Sequence, residues 1–320
     1  MVGAYSIMRN YVLVISIIAI FAGLIVPKGW VQDHTLWFGV ALILGGIPHG
    51  ASDYLIFRRL WEIQHAKWFF SVVYLLTIAV YGLIWYLSPL LAFGIFLLTS
   101  IYHFGQSNWS YVYFPNVVWQ TVAYLLWGGL IVGFPVLLYH QEASLIILEI
   151  TGHYFDMWSI RSPAIFLLFG VNLLFLLRAL EKEIIDKNAF NKEMTTIFIL
   201  IFLFATTPLL VGFGLYFVFW HSLGATLDQV LIMKRYDPGH TFKKHLFELT
   251  FLSLIAFVGL GLLYWLMGDQ MNRGINLGIL FLFISIITVP HTILMDRFYK
   301  AEGTDEAQNN TTNYISTKII

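Results

Sequence analysis

Cysteine is absent from this 320-residue chain. That excludes disulfides, thiolate-ligated haem, iron–sulfur clusters and cysteine nucleophiles, and it leaves histidine as the obvious borderline metal ligand. Charge is scarce as well: Asp, Glu, Lys and Arg make up 11% of residues, with 18 basic side chains balancing 18 acidic ones. No basic excess points to a nucleic-acid partner, so the useful electrostatic information lies in where the charges sit. What fills the chain is apolar: 59% of residues are hydrophobic and mean hydropathy is +0.77. Those values lie outside the range of soluble domains and make the lipid bilayer the main solvent. The first apolar run ends in Pro27-Lys28-Gly29-Trp30 without a small-x-small cleavage site, so a retained span is expected there rather than a removed signal peptide.

A spanning helix needs about 20 mostly apolar residues at about 1.5 Å each. Ten segments qualify, near residues 10–26, 36–57, 68–87, 89–104, 117–138, 163–177, 195–210, 211–233, 249–267 and 275–295. The expected fold is therefore all-α, a polytopic integral membrane helical bundle of about ten transmembrane helices. Only Thr207-Pro208 separates the seventh segment from the eighth, and merging them gives nine spans. Charge chooses between the two, because short cytoplasmic loops retain Lys and Arg. With ten spans and a cytoplasmic N-terminus, fifteen of the 18 basic residues fall inside and only Lys28, Arg161 and Arg273 outside. Both termini are then cytoplasmic. Residues 1–300 read as one transmembrane domain, and the polar stretch 301–320 reads as a disordered cytoplasmic tail.

Six of the ten histidines, His34, His65, His140, His153, His240 and His245, lie in loops or at span ends, where water or the interface can solvate them. His49, His103, His221 and His291 sit inside spans two, four, eight and ten, where an unpaired polar ring is costly. The proposed topology runs all four helices from outside to inside. The four residues lie 13, 14, 10 and 16 positions from their span starts, which gives depths of roughly 15 to 24 Å. Any one of them alone reads as a core histidine bonded to a neighbouring carbonyl. Four at one depth on four helices form the arrangement from which a bundle core builds a metal site.

Asp53 follows His49 by four residues, and Asp228 lies two turns after His221. Both are candidates to accept the second N–H of a ligand histidine and so fix its tautomer. Asp296 follows His291 less regularly and reads as an interfacial charge. Pro48-His49 and Pro290-His291 place a helix-kinking residue directly before two of the rings. Imidazole suits zinc, copper or iron, so the ligand set alone leaves the metal open. Aromatic residues near this layer, among them Tyr54, Tyr102, Phe104, Phe217 and Trp220, can line a tunnel for a long lipid or simply pack.

Gly46-Ile47-Pro48-His49-Gly50-Ala51-Ser52-Asp53, Tyr102-His103-Phe104-Gly105, Trp220-His221-Ser222 and Val289-Pro290-His291, in this order and spacing, resemble the Brp/Blh family of bacterial and archaeal β-carotene 15,15'-dioxygenases. The similarity runs from about residue 45 to 299. It implies a multi-pass enzyme of the cell inner (plasma) membrane that holds Fe(II) through histidines and uses dioxygen to cleave the central double bond of β-carotene into two retinal molecules. It also implies a functional link to a retinal-binding rhodopsin. His49, His103 and His221 match the family's metal-binding histidines, and His291 is the match at the last motif. One departure stands out: family members commonly carry a further histidine one turn after the Trp-His-Ser histidine, and that position here is Ala225. Either His291 completes the site, or this member binds metal less tightly or takes another apolar lipid. A transporter or proton channel with intramembrane histidines is the alternative from another class, and it needs a polar route through both leaflets.

Overall fold

The computed structural model describes residues 2–25, 34–60, 66–267 and 277–318. Pro27-Lys28-Gly29-Trp30, His65 and Arg273 lie outside the described residues. The helices, in chain order, are α1 (Val2–Ile25), α2 (His34–Ala41), α3 (Ile47–Ala51), α4 (Asp53–Leu60), α5 (Ala66–Leu87), α6 (Pro89–Asn108), α7 (Val117–Leu138) and α8 (His140–Thr151), then α9 (Arg161–Glu181), α10 (Lys187–Thr206), α11 (Leu209–Leu215), α12 (Leu223–Tyr236), α13 (Phe242–Met267) and α14 (Leu277–Lys318). Two π-helical segments, Leu42–Gly46 and Tyr216–Ser222, join α2 to α3 and α11 to α12. Among the described residues there is no strand. Nine helical stretches there are long and apolar enough to cross a membrane, and Tyr11–Ile25 adds a shorter apolar helix.

A helix therefore answers each of the ten expected spans, with instructive differences in length. The sixth and seventh, expected at 163–177 and 195–210, are Arg161–Glu181 and Lys187–Thr206. Their polar ends continue the helix beyond the apolar run: Arg178 pairs with Glu181 at 2.5 Å, and the Asp186 side chain caps α10 by accepting from the Ala189 N–H at 2.7 Å. The break at Thr207-Pro208 is real. Thr207 is extended, as the residue before a proline prefers, and α11 starts just after it. One side chain serves two carbonyls at this break, since the single Tyr139 Oη–H is shared between those of Phe204 at 3.0 Å and Thr207 at 2.7 Å. Buried helix ends need such partners where water is excluded. Helix α8 carried no sequence signal, because 12 residues cannot span and it begins with His140, Gln141 and Glu142.

The outer surface confirms the solvent. Leu76 on α5 is 58% exposed and Val258 on α13 is 71% exposed. Each such side chain would cost roughly 1.5–3 kcal/mol relative to burial if it faced water, so these faces are built for lipid. Inside, the largest buried cluster joins α6, α7, α9 and α10 through Phe104, Trp127, Leu130, Leu176, Leu200 and Leu203. Residues 301–318 extend α14 past its apolar part, Leu277–Lys300. The division into a bundle of residues 1–300 and a cytoplasmic tail of 301–320 is a proposal for the domain organisation.

Two glycines set how closely α6 and α7 approach. A Cβ at Gly105 would collide with the Tyr124 carbonyl, and one at Gly128 with the Ile101 carbonyl. Backbone cannot rotate aside as a side chain can, so either substitution separates the helices. Gly129 next door meets nothing within 4 Å. Gly128→Ala should therefore destabilise the protein by about 1–3 kcal/mol, the usual range for overpacking, whereas Gly129→Ala should not. Thermal unfolding in detergent checks this, and equal midpoints for the two variants would contradict the packing described.

Candidate metal centre

Four chain segments bring the intramembrane histidines together. His49 stands on α3 directly after Pro48 and the first π segment, and His221 lies inside the second π segment. His103 is on α6, and His291 follows Pro290 in α14. The π segments pack on each other because Gly45 and Gly46 present no side chain. A Cβ at Gly45 would lie 3.1 Å from the Val218 Cα, and one at Gly46 would lie 2.9 Å from the Phe217 ring. Single π turns widen a helix locally and are frequent at functional sites. Here they carry His221 to within ring contact of His49.

The ring centroids form a closed circuit. His49 is 5.1 Å from His221 and 4.6 Å from His291, and His103 is 4.9 Å from each of those two. His49 and His103 face each other across it at 6.2 Å. All four side chains belong to residues no more than 4% exposed. Both nitrogens of His49, both of His103, Nδ1 of His221 and Nε2 of His291 are buried without a hydrogen-bond partner. One ligand nitrogen from each of His49, His103 and His221 can be chosen so that all lie within 4.8 Å of one another. Leaving a buried donor or acceptor unpaired costs about 1–3 kcal/mol each, so a cluster of them facing one another fits a positive ion that accepts several imidazole lone pairs at once.

The fourth ring is held from behind. His291 Nδ1–H donates to Asp53 Oδ1 at 2.5 Å, and Tyr74 Oη donates to Asp53 Oδ2 at 2.7 Å. With Nδ1 protonated, Nε2 keeps the lone pair and points it away from the carboxylate, the orientation that a carboxylate gives a ligand imidazole. Asp53 thus partners His291, not His49 on its own span. The reason is local: the chain turns at Ser52, whose hydroxyl donates to the His49 carbonyl at 2.7 Å, so α3 and α4 do not continue one straight face. Tyr74 had no sequence signal, being one aromatic among many on α5.

Asp228 accepts from Ser110 Oγ at 3.2 Å and lines a cavity of about 60 Å³ with Asn108, Lys192, Thr196 and Trp220, which also touches His221. No hydrogen bond joins Asp228 to an imidazole among the described residues. Asp296 accepts from Tyr102 Oη and Gln106 Nε2 and pairs with Lys300 at 2.6 Å.

A larger cavity, of about 170 Å³, ends on all four histidines. Its walls are almost wholly apolar, with Phe93, Phe96, Phe104, Phe213, Phe217 and Phe281 among them. Of the five aromatics singled out in the sequence, Phe104 and Phe217 line it. The other three lie outside that lining: Tyr54 packs on Phe70 at 5.5 Å, Tyr102 bonds Asp296, and Trp220 donates to Ser16 at 2.9 Å.

The family described as beta-carotene 15,15'-dioxygenase matches residues 40–299, a range that contains all four histidines, Asp53 and Tyr74. The chain is also 26% identical over 275 residues to the beta-carotene 15,15'-dioxygenase of uncultured marine bacterium 66A03, an alignment covering 82% of this chain and 94% of that protein. No solved structure matches the chain.

The Tyr74–Asp53–His291 chain makes a graded prediction. Asp53→Asn should weaken divalent-metal binding about ten- to a hundredfold, the usual cost of losing an outer partner, and Tyr74→Phe should weaken it less. Chelator competition on purified protein measures both, and wild-type affinity in Asp53→Asn would remove the carboxylate from any role at the site.

Proposed function

We propose, from the premise that the chain belongs to the β-carotene 15,15'-dioxygenase family, that it cleaves the central double bond of β-carotene with dioxygen to give two molecules of retinal, using Fe(II) held by His49, His103, His221 and His291. The observation that carries this reading is the cavity of apolar walls ending on four imidazoles whose inward nitrogens lack partners. The reaction balances without an outside reductant, because one carbon–carbon double bond is broken and each atom of dioxygen ends in one aldehyde.

Iron, when bound, supplies the redox chemistry that lets dioxygen react with a polyene. The protein's own residues do the rest. A hydrocarbon polyene offers nothing to hydrogen-bond, so it is recognised by shape, and Phe104 and Phe217 supply flat surfaces beside His221, at ring separations of 4.7 and 5.6 Å. Apolar walls exclude water from the reacting bond and hold it in one orientation against the metal. Four neutral imidazoles leave the charge of a divalent ion uncompensated, and Asp53 offsets part of it from behind His291. Ala225, buried one turn beyond His221 at the position where the family resemblance leads one to expect another histidine, leaves the fourth ligand position to His291 in this reading.

The substrate reaches the site from the bilayer, and in this account the bundle lies in the cell inner membrane with both termini cytoplasmic. The retinal produced would serve a retinal-binding rhodopsin.

Expression in cells that accumulate β-carotene should bleach the pigment and produce retinal, and unchanged pigment with no retinal would reject the substrate. Purified protein should hold roughly one iron per chain, lost in His49→Ala and His103→Ala. Full iron in both variants would reject the ligand set independently of the substrate.

A further inference from the structure

The sequence placed His240 and His245 among solvated loop residues, but the fold buries both. His240 sits in the turn between α12 and α13 and is 5% exposed, and His245, in the first turn of α13, is fully buried. His240 Nε2 and His245 Nδ1 lie 3.1 Å apart, and His245 Nε2 is buried with no partner. Whichever ring donates across that contact, the far nitrogen of His245 remains unsatisfied, a costly state for a buried polar atom. Glu248 follows on the next turn of α13, and each of the three residues offers a ligand atom within 4.8 Å of the others.

We propose that His240, His245 and Glu248 form a second metal site, separate from the intramembrane cluster, which takes a borderline divalent cation of the zinc class. Two imidazoles and one carboxylate suit such an ion. Bonds of about 2.0–2.2 Å put tetrahedral ligand pairs roughly 3.3–3.5 Å apart, so shifts of at most about 1.5 Å close the set. Glu248 is half-buried, which leaves water room to complete the coordination. The ion would clip the α12–α13 turn to α13. This joins the helix that follows His221 to the helix whose Leu260 lines the apolar cavity.

Untagged full-length protein in detergent, stripped with chelator and titrated with Co(II), provides the test. Wild type should bind two equivalents. His49→Ala should retain one, with its visible absorption assigned to the α12–α13 site, and a His240→Asn/His245→Asn variant should retain the other. Glu248→Gln, which should disturb folding least, should raise the dissociation constant of one equivalent by at least about tenfold. A wild type that binds a single equivalent which His49→Ala abolishes, or Co(II) affinity unchanged in Glu248→Gln, would overturn the second site. A wild type whose single equivalent survives His49→Ala but is lost in the His240→Asn/His245→Asn variant would instead count against the intramembrane centre.

Discussion

An imidazole in hydrocarbon must find a partner or remain desolvated at a cost of kilocalories, and this chain buries four of them together, each with at least one ring nitrogen that has no hydrogen-bond partner among the described residues. Much of the surrounding construction is explicable as what is needed to bring those rings together. The two π segments, with Gly45 and Gly46 between them, let the strands of helix bearing His49 and His221 meet. Prolines precede His49 and His291. The close α6–α7 contact at Gly105 and Gly128 fixes the helix that carries His103. Asp53 and Tyr74 set the orientation of the last ring. Together they make sense around a shared ion.

The same geometry divides the site into two chemical environments. The larger cavity, at all four histidines, presents aromatic and aliphatic side chains, a surface suited to an apolar polyene. The smaller cavity, which touches only His221 of the four, brings in Asp228, Lys192 and Asn108. An ion pathway would need polar groups leading away from the rings, and the larger cavity is walled almost wholly by apolar side chains. The family relationship and the cavity therefore point the same way.

Much of this was legible in the sequence because helical rise converts position into depth: His49, His103, His221 and His291 could be placed in one layer by counting residues. Direction around the helix was harder to read. Successive residues on a helix point about 100° apart, so Tyr102 and Trp220, neighbours in sequence of His103 and His221, face Asp296 and Ser16 rather than the cavity. Phe217, four residues before His221, shares its face and stacks on it. The π segments and the turn at Ser52 carry no apolar signature, which is why Asp53 was assigned to the histidine of its own span instead of His291. The Thr207-Pro208 break, in contrast, was visible because proline restricts the residue before it.

X-ray absorption at the iron edge of the purified, iron-loaded protein tests the central claim most directly. The account predicts a coordination shell dominated by imidazole nitrogens, with outer-shell scattering equivalent to four rings and reduced by one in His291→Ala. A shell dominated by carboxylate oxygen, or one unaltered by that substitution, would contradict it.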